Sequence, residues 1–402
     1  MTSTPSRPTP TTAHTDLATR ASPLAVMLWA IYLACSWTWC IGMCMPALLE
    51  RDFGWLGFAV FAIPNCIGAA ALGWVLATPE AAARFAMTHR AAARAFSLVT
   101  IAYQAYFLGL LLTFFPPIYA ALLAGLFLLA LAPWLAARSI GRVLRLAAAT
   151  YAISLAAAAV LAFRAGLVLE SPTLDPVATG LLWLAPVSLF GFALCPYLDL
   201  TFLRARASLP PAPGRAAFTI GFCVFFAAMI LLTYLARGSL QAGFSGGAIL
   251  LTLAIPYAVH AVCQLAFTIG LHTRELLPET APSGSRLGLA LVLPLAAVGA
   301  LAAMGPSLLG LDFREIGYRV FLAAYGLVFP TYVWLIAIPT RDGHRGVAGP
   351  LGRKKLRIAL AAVAIATPAF TMGFIAREEA YLIPGILVLV LSRLALPRPR
   401  VC

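Results

Sequence analysis

The sequence predicts an all-α, polytopic membrane protein of about twelve transmembrane helices, and three observations predict it. Apolar runs recur along the chain, each long enough to cross a hydrocarbon core, which takes about 20 helical residues. Mean hydropathy is +0.93 with only 10% charged residues, a balance that excludes an ordinary soluble domain. When the runs are threaded back and forth, 22 of the 28 Lys and Arg residues fall on one side. Positive charge stays with the cytoplasm, so both termini are expected inside an inner membrane. A wrong helix count would scramble that partition, so the split also supports the count.

Residues 1–22 are rich in Thr, Pro and Ser and read as a disordered cytoplasmic tail. Spans 1 to 5 are expected at 24–46, 54–77, 92–114, 117–136 and 146–165, within a first repeat over 23–170. The first run is too long for a signal peptide and lacks a small-residue cleavage site, so it should stay in the membrane. Spans 6 to 10 follow at 177–199, 216–236, 246–271, 287–305 and 316–338, within a second repeat over 171–340. An odd number of helices per half makes that repeat inverted. Residues 341–402 add a basic cytoplasmic loop and spans 11 and 12, at 356–376 and 379–396.

No gap between spans has room for a soluble catalytic domain. The glycine-rich basic loop 339–355 lacks the Gly-Lys-Ser/Thr of a phosphate loop and reads as a juxtamembrane segment attracted to anionic lipid. The net charge of +14 does not imply nucleic acid, because the basic residues sit at helix ends and no basic helix is interleaved with aromatics. The expected partners are membrane lipids and a small-molecule solute; nothing specifies an oligomeric state. Seven of the eight cysteines lie inside predicted spans and Cys402 is at the cytoplasmic end, so no outer disulfide framework is implied.

The most informative local pattern pairs span 1 with span 6. Span 1 ends Gly42-Met43-Cys44-Met45-Pro46, and span 6 ends Gly191-Phe192-Ala193-Leu194-Cys195-Pro196-Tyr197-Leu198-Asp199. Proline removes a donor and clashes with the preceding turn, so each helix should bend, unwind or stop there. Matching interruptions in two inverted halves point to a secondary transporter's binding site. In this the chain resembles the five-plus-five inverted-repeat transporters with two trailing helices. These are the amino acid–polyamine–organocation superfamily (the LeuT fold), which includes the neurotransmitter–sodium and sodium–solute symporters. The resemblance covers spans 1 to 12 as architecture and rests on the paired interruption. Both prolines fall nearer the C-terminal ends of their runs than the family's midplane break, and ordinary helix termination stays open.

The resemblance implies a lining from spans 1, 3, 6 and 8, by position rather than motif: Ser36, Thr38, Trp39, Gly42, Tyr103, Gln104, Gly191, Asp199 and His260. Span 8 adds a pattern of its own. Tyr257, His260, Gln264, Thr268 and His272 share one helix face, and such a stripe must meet protein or water rather than lipid. His260 and Gln264 are substrate-contact candidates, with interhelical hydrogen bonding as the alternative and the preferred reading for Thr268 and His272. Asp199 and Thr201 are the ion-coupling candidates, for Na⁺ through hard oxygens or for H⁺ through the carboxylate; pairing of Asp199 with Arg204 or Arg206 is the competing reading. No cofactor beyond a coupling Na⁺ and no metal site is called for.

Tyr318, Tyr325 and Tyr332 share a face of span 10, expected first to pack against a neighbour and second to line a vestibule. His14, His89 and His344 read as solvated loop residues. The functional expectation is secondary active transport of a small organic solute coupled to Na⁺ or H⁺. The alternative is a membrane-embedded, glycosyltransferase-like enzyme acting on lipid-linked substrates at the outer face. It would require Glu50, Asp52 and Asp312 to gather in a cleft.

Overall fold

The computed structural model describes residues 21–38, 40–137, 139–165, 179–246, 250–276, 294, 313–339 and 349–396. Among them there is helix and no strand. Nine described helices are long and apolar enough to cross a membrane, and ten spans result if one bent pair counts as a single crossing. These correspond to expected spans 1 to 8, 10 and 11. Span 9 lies outside the described residues, as do the first twenty residues, Trp39, Asp312 and most of the basic loop.

Span 1 is two helices, α1 (Pro23–Trp37) and α2 (Cys40–Phe53). Span 2 is α3 (Trp55–Val75), followed by the short α4 (Pro79–Thr88). Spans 3, 4 and 5 are α5 (Arg90–Leu112), α6 (Pro117–Ala136) and α7 (Ile140–Ala165). Span 6 is α8 (Thr179–Leu194), which tightens to a 3₁₀ turn at Cys195–Leu198 before α9 (Leu200–Ala207). Span 7 is α10 (Pro211–Ile220) and α11 (Ala227–Leu235), joined through a π-helical turn at Gly221–Phe226, with α12 (Arg237–Phe244) after it. Span 8 is α13 (Leu251–Leu276). Span 10 is α14 (Phe313–Tyr332), and span 11 is α15 (Gly349–Phe374).

Span 12 is shorter than expected. Its α-helix, α16 (Leu382–Leu391), has ten residues and is flanked by 3₁₀ turns at Glu379–Tyr381 and Ser392–Ala395. Near its end the Ser392 hydroxyl donates to the Val388 carbonyl at 2.6 Å, a local bond that competes with helix continuation.

Helix starts follow side-chain chemistry. Ser22 accepts the Ala25 amide at 3.2 Å ahead of Pro23, and Thr78 accepts the Ala81 amide at 3.2 Å ahead of Pro79. In each case a hydroxyl caps the first turn and proline takes a place where no N–H is needed.

The helices form two interleaved groups. In one, α3 lies along α8 and the span 7 helices cross α1 and α3. Glycine sets these distances: a Cβ on Gly68 would run into the Phe192 carbonyl, and one on Gly221 would sit 2.8 Å from the Ala30 carbonyl oxygen. In the other group α13 is innermost, packed on α5, α6 and α7, with Gly270 against Trp134. On α6, Ile118, Leu122, Leu128 and Leu129 are exposed, a surface suited to lipid. Spans 10 and 12 pack against α8, and span 11 packs on spans 10 and 12.

One charged residue pins the first group. Arg206 is fully buried and donates to the carbonyls of Leu76 and Leu209 at 2.7 Å each, and also to Ala77. Leu76 and Ala77 end α3, so the guanidinium closes that C-terminus where helix donors have run out. Burial, and next Arg215 nearby, lower the Arg206 pKa from the ordinary arginine value. Gly214 lies against the guanidinium, with a Cβ only 2.6 Å from Nη1. Arg206→Leu would leave three carbonyls without a donor, each costing about 1–3 kcal/mol. The expected outcome is a lower unfolding midpoint in detergent by tryptophan fluorescence, with Gly214→Val reproducing it by displacing the guanidinium.

Candidate functional site: a broken helix beside an apolar cavity

Span 1 breaks where its sequence reads Ser36-Trp37-Thr38-Trp39-Cys40. Thr38 leaves the helix at ψ 71°, and α1 and α2 meet at 62°. The flanking groups are held individually. The Thr38 hydroxyl donates to the Ala34 carbonyl at 2.8 Å, the Trp37 indole N–H donates to Asn65 Oδ1, and the Cys40 amide donates to Gln104 Oε1 at 3.4 Å.

The expected interruption at Gly42-Cys44-Pro46 is corrected: Pro46 sits inside α2 and the break lies earlier. Proline lacks the amide that would serve the carbonyl four residues back, here Gly42. The Thr233 hydroxyl of α11 donates to that oxygen at 2.8 Å, and the Tyr257 hydroxyl of α13 donates to the next, Met43. With the lost bond replaced from neighbouring helices, the helix runs on through its proline.

Span 6 does break at Cys195-Pro196, in the 3₁₀ turn. Asp199 then caps α9, its Oδ1 accepting the Thr201 amide at 2.8 Å and the Thr201 hydroxyl at 2.6 Å. Pairing of Asp199 with Arg204 or Arg206 is not what forms. Arg204 pairs with Glu275, and Arg206 serves the carbonyls described above.

A cavity opens between the broken span 1, α8 and α14, with about 480 Å³ of empty space counting its mouth. Trp37, Ile41 and Met45 form one wall; Val187, Ser188, Gly191, Phe192 and Cys195 a second; Leu322, Tyr325, Gly326 and Phe374 the rest. No charged side chain lines it. The Tyr325 hydroxyl is engaged with Thr100 at 2.5 Å, and the Cys195 thiol donates to the Tyr325 carbonyl at 3.5 Å. The Ser188 hydroxyl is buried without a partner among the described residues. Gly191 and Gly326 face each other, a Cβ on Gly191 lying 3.9 Å from the Gly326 Cα.

A second hollow of about 400 Å³ shares Met45, Leu322 and Phe374 with the first and reaches Asp52, Arg319 and Glu379. Ion pairs close over it. Asp52 takes Arg51 and Arg377 at 2.9 Å and Arg319 at 2.7 Å. Glu315 takes Arg51 through two bonds, at 2.7 and 3.0 Å, and Arg319 at 2.6 Å. The network ties the end of α2 to the start of α14 and to the α15–α16 turn. Glu50 is held separately, by Arg237 at 3.5 Å and by the Gln241 amide at 2.8 Å.

Of the expected contact residues, Gly191 lines the cavity. Gln104 and Thr38 hold the break, Gly42 carries the carbonyl that Thr233 answers, and Ser36 is buried in α1. Tyr103 packs on Phe321, its ring centroid 4.0 Å away, and on Tyr325 at 6.4 Å. Trp39 lies outside the described residues. His260 Nδ1 meets Ser154 Oγ at 2.8 Å, and Gln264 donates to the same oxygen at 3.0 Å and to the Cys35 sulfur at 3.7 Å. Both face span 5 and α1 rather than the cavity. His272 Nδ1 lies 3.0 Å from Ser97 Oγ on α5.

The tyrosine face of span 10 packs inward: Tyr318 donates to the Cys40 carbonyl at 2.8 Å, Tyr325 meets Thr100, and Tyr332 lies 3.1 Å from His89 Nδ1. His89 is therefore buried, a correction to its reading as a solvated loop residue. Ser188, Asn65 and Thr233 are the residues that sequence reasoning missed. The tyrosine periodicity on span 10 was the signal that could have directed attention to this cavity.

No protein-family profile matches the chain, and no curated protein resembles it significantly in sequence.

The Pro46 gap gives a double-mutant test. Thr233→Val strands the Gly42 carbonyl and should cost about 1–3 kcal/mol. In a Pro46→Ala background the restored amide answers that carbonyl, so the same substitution should cost well under half as much in thermal unfolding.

Proposed function

We propose that this protein is a secondary transporter of a small organic solute, seated in the cavity between the broken span 1, span 6 and span 10 and driven by an ion gradient. The observation that carries the reading is the pair of helix breaks, at Thr38–Cys40 and Cys195–Leu198, with Trp37 and Ile41 flanking the first and Cys195 in the second lining one cavity. Irregular backbone at membrane depth is tolerated where protein buries it or where it lines a cavity. Spans 1 and 6 border the cavity, as the resemblance implies, while spans 10 and 11 stand where it implies spans 3 and 8. The two helix groups, α1–α3 with α8, α10 and α11 against α5–α7 with α13, are bodies that could rock past each other. In this state the ion pairs around Asp52 and Glu315 shut the outer end.

The cavity wall selects for a particular kind of solute surface. It offers aromatic rings, a thioether and one open hydroxyl, so the part of the solute held there is uncharged and takes one hydrogen bond at Ser188. An enzymatic reading finds less support. Asp52 is committed to three arginines and Glu50 to Arg237 and Gln241, which leaves these carboxylates poorly placed to hold a metal or an acceptor.

Gly191→Val should fill the cavity with little strain, since the nearest atom to a new Cβ is 3.9 Å away. Wild-type protein in vesicles, screened with amino acids, sugars, nucleobases and vitamins under an imposed gradient, should accumulate one of these classes. The variant should lose at least about tenfold of that uptake with an unchanged unfolding midpoint, a loss of about 1.4 kcal/mol or more in transition-state stabilisation. Gradient-independent behaviour across the whole screen would overturn the transport reading.

A further inference from the structure

The apolar cavity holds no group that could carry a coupling ion, so the buried ionisable groups elsewhere matter. Asp199 is fully buried at the seam where α9 begins, and one of its oxygens is saturated by Thr201. The other, Oδ2, has no hydrogen-bond donor among the described residues and faces His272 Nε2 of α13 at 3.9 Å. The imidazole is fixed from behind by Ser97 of α5, at 3.0 Å from Nδ1. Helices α9 and α13 therefore meet at one carboxyl oxygen, with α5 holding the imidazole from behind.

We infer, resting on the transport reading, that Asp199 and His272 form a proton-binding site at this seam, so that the coupling ion is H⁺ rather than Na⁺. Sodium in such carriers is held by hard oxygens freed where a helix unwinds. Here three of those oxygens already accept donors: the Pro196 carbonyl takes the Asp199 amide at 3.2 Å, the Asp199 carbonyl takes the Leu203 amide at 3.0 Å, and the Thr201 carbonyl takes the Tyr32 hydroxyl at 3.5 Å. What faces Oδ2 is an imidazole, a proton-exchanging group and a poor sodium ligand.

The charged neighbours leave the carboxyl without a fixed cation. Arg204 is paired with Glu275 of α13, and Arg206 is spent on three carbonyls. Tyr32 of α1, Tyr325 of α14 and Glu275 are the other titratable groups that act on it. Burial without a cation favours the neutral form of any carboxyl group. A proton on Oδ2 would remove the negative charge from the seam and could be shared with the imidazole. Its loss would leave a bare carboxylate between α9 and α13, which favours separation of the two groups and entry of water.

The test needs no identified solute. Infrared spectra of the purified protein in liposomes, titrated in sodium or in choline buffer, read a protonated-carboxyl band directly. The expected band titrates nearer neutral pH than ordinary carboxylates, is the same in both buffers, vanishes in Asp199→Asn and has a displaced midpoint in His272→Gln. A missing band, a band that survives Asp199→Asn, a midpoint unmoved by His272→Gln, or a band suppressed by sodium would each overturn the proposal. Asn retains an acceptor for Thr201, and the wild-type sodium–choline comparison stands whether or not either variant folds. A titrating band in a protein that moves no solute would retain the proton site and remove the transport reading instead.

Discussion

A helix that stops inside a bilayer strands backbone groups that lipid cannot satisfy, and this constraint organises the molecule. Around span 1, side chains from six other helices answer it. Asn65 holds the Trp37 indole, Gln104 takes the Cys40 amide, Tyr318, Thr233 and Tyr257 take the carbonyls of Cys40, Gly42 and Met43, and Gln241 takes that of Ala47. Few polar residues are available in so apolar a chain, and several of those inside the bundle serve this one element. The break is thus part of the packing, since each donor belongs to a helix that must be in place for the break to be stable.

Small residues do the complementary work. Hydrophobic burial contributes little to holding one helix against another in lipid, so close backbone approach has to supply the attraction. Gly68 under Phe192 and Gly221 under Ala30 draw spans 2 and 7 onto spans 6 and 1, and Gly270 does the same for α13 against Trp134. Where two glycines face each other without contact, at Gly191 and Gly326, the same absence of side chain leaves space instead. Whether a glycine closes a gap or opens one depends on the residue opposite.

Much of the architecture was legible in the sequence because hydropathy and helix length are set by the bilayer itself. The spans from 54 to 271, the polar stripe on α13 and the inward face of Tyr318, Tyr325 and Tyr332 all follow from periodicity that only one side of a helix can satisfy. The position of the span 1 break was not legible. Pro46 announced an interruption, but whether a proline breaks a helix depends on who supplies the missing donor, and Thr233 lies far away in sequence. His89 was misread for a similar reason: next to a short loop it looked solvated, until Tyr332 arrived from span 10. Apart from Tyr325, the cavity wall on α14 left no mark, because apolar residues and a glycine look the same whether they face a neighbour, lipid or a hollow.

The separation of polar and apolar functions across the fold has a physical logic on the transport reading. Charge inside the solute cavity would bind one protonation state of the solute tightly and hold it against release. An apolar cavity with a single hydroxyl binds moderately and lets go. The driving ion must then act from elsewhere, through a group whose charge state alters how the two helix bodies fit. Asp199 satisfies that requirement by position: Cys195, four residues before it across the 3₁₀ turn, lines the cavity, while its own carboxyl meets the opposite body at His272. Four residues of irregular backbone are short enough to carry a displacement from one to the other without passing through the rest of the bundle.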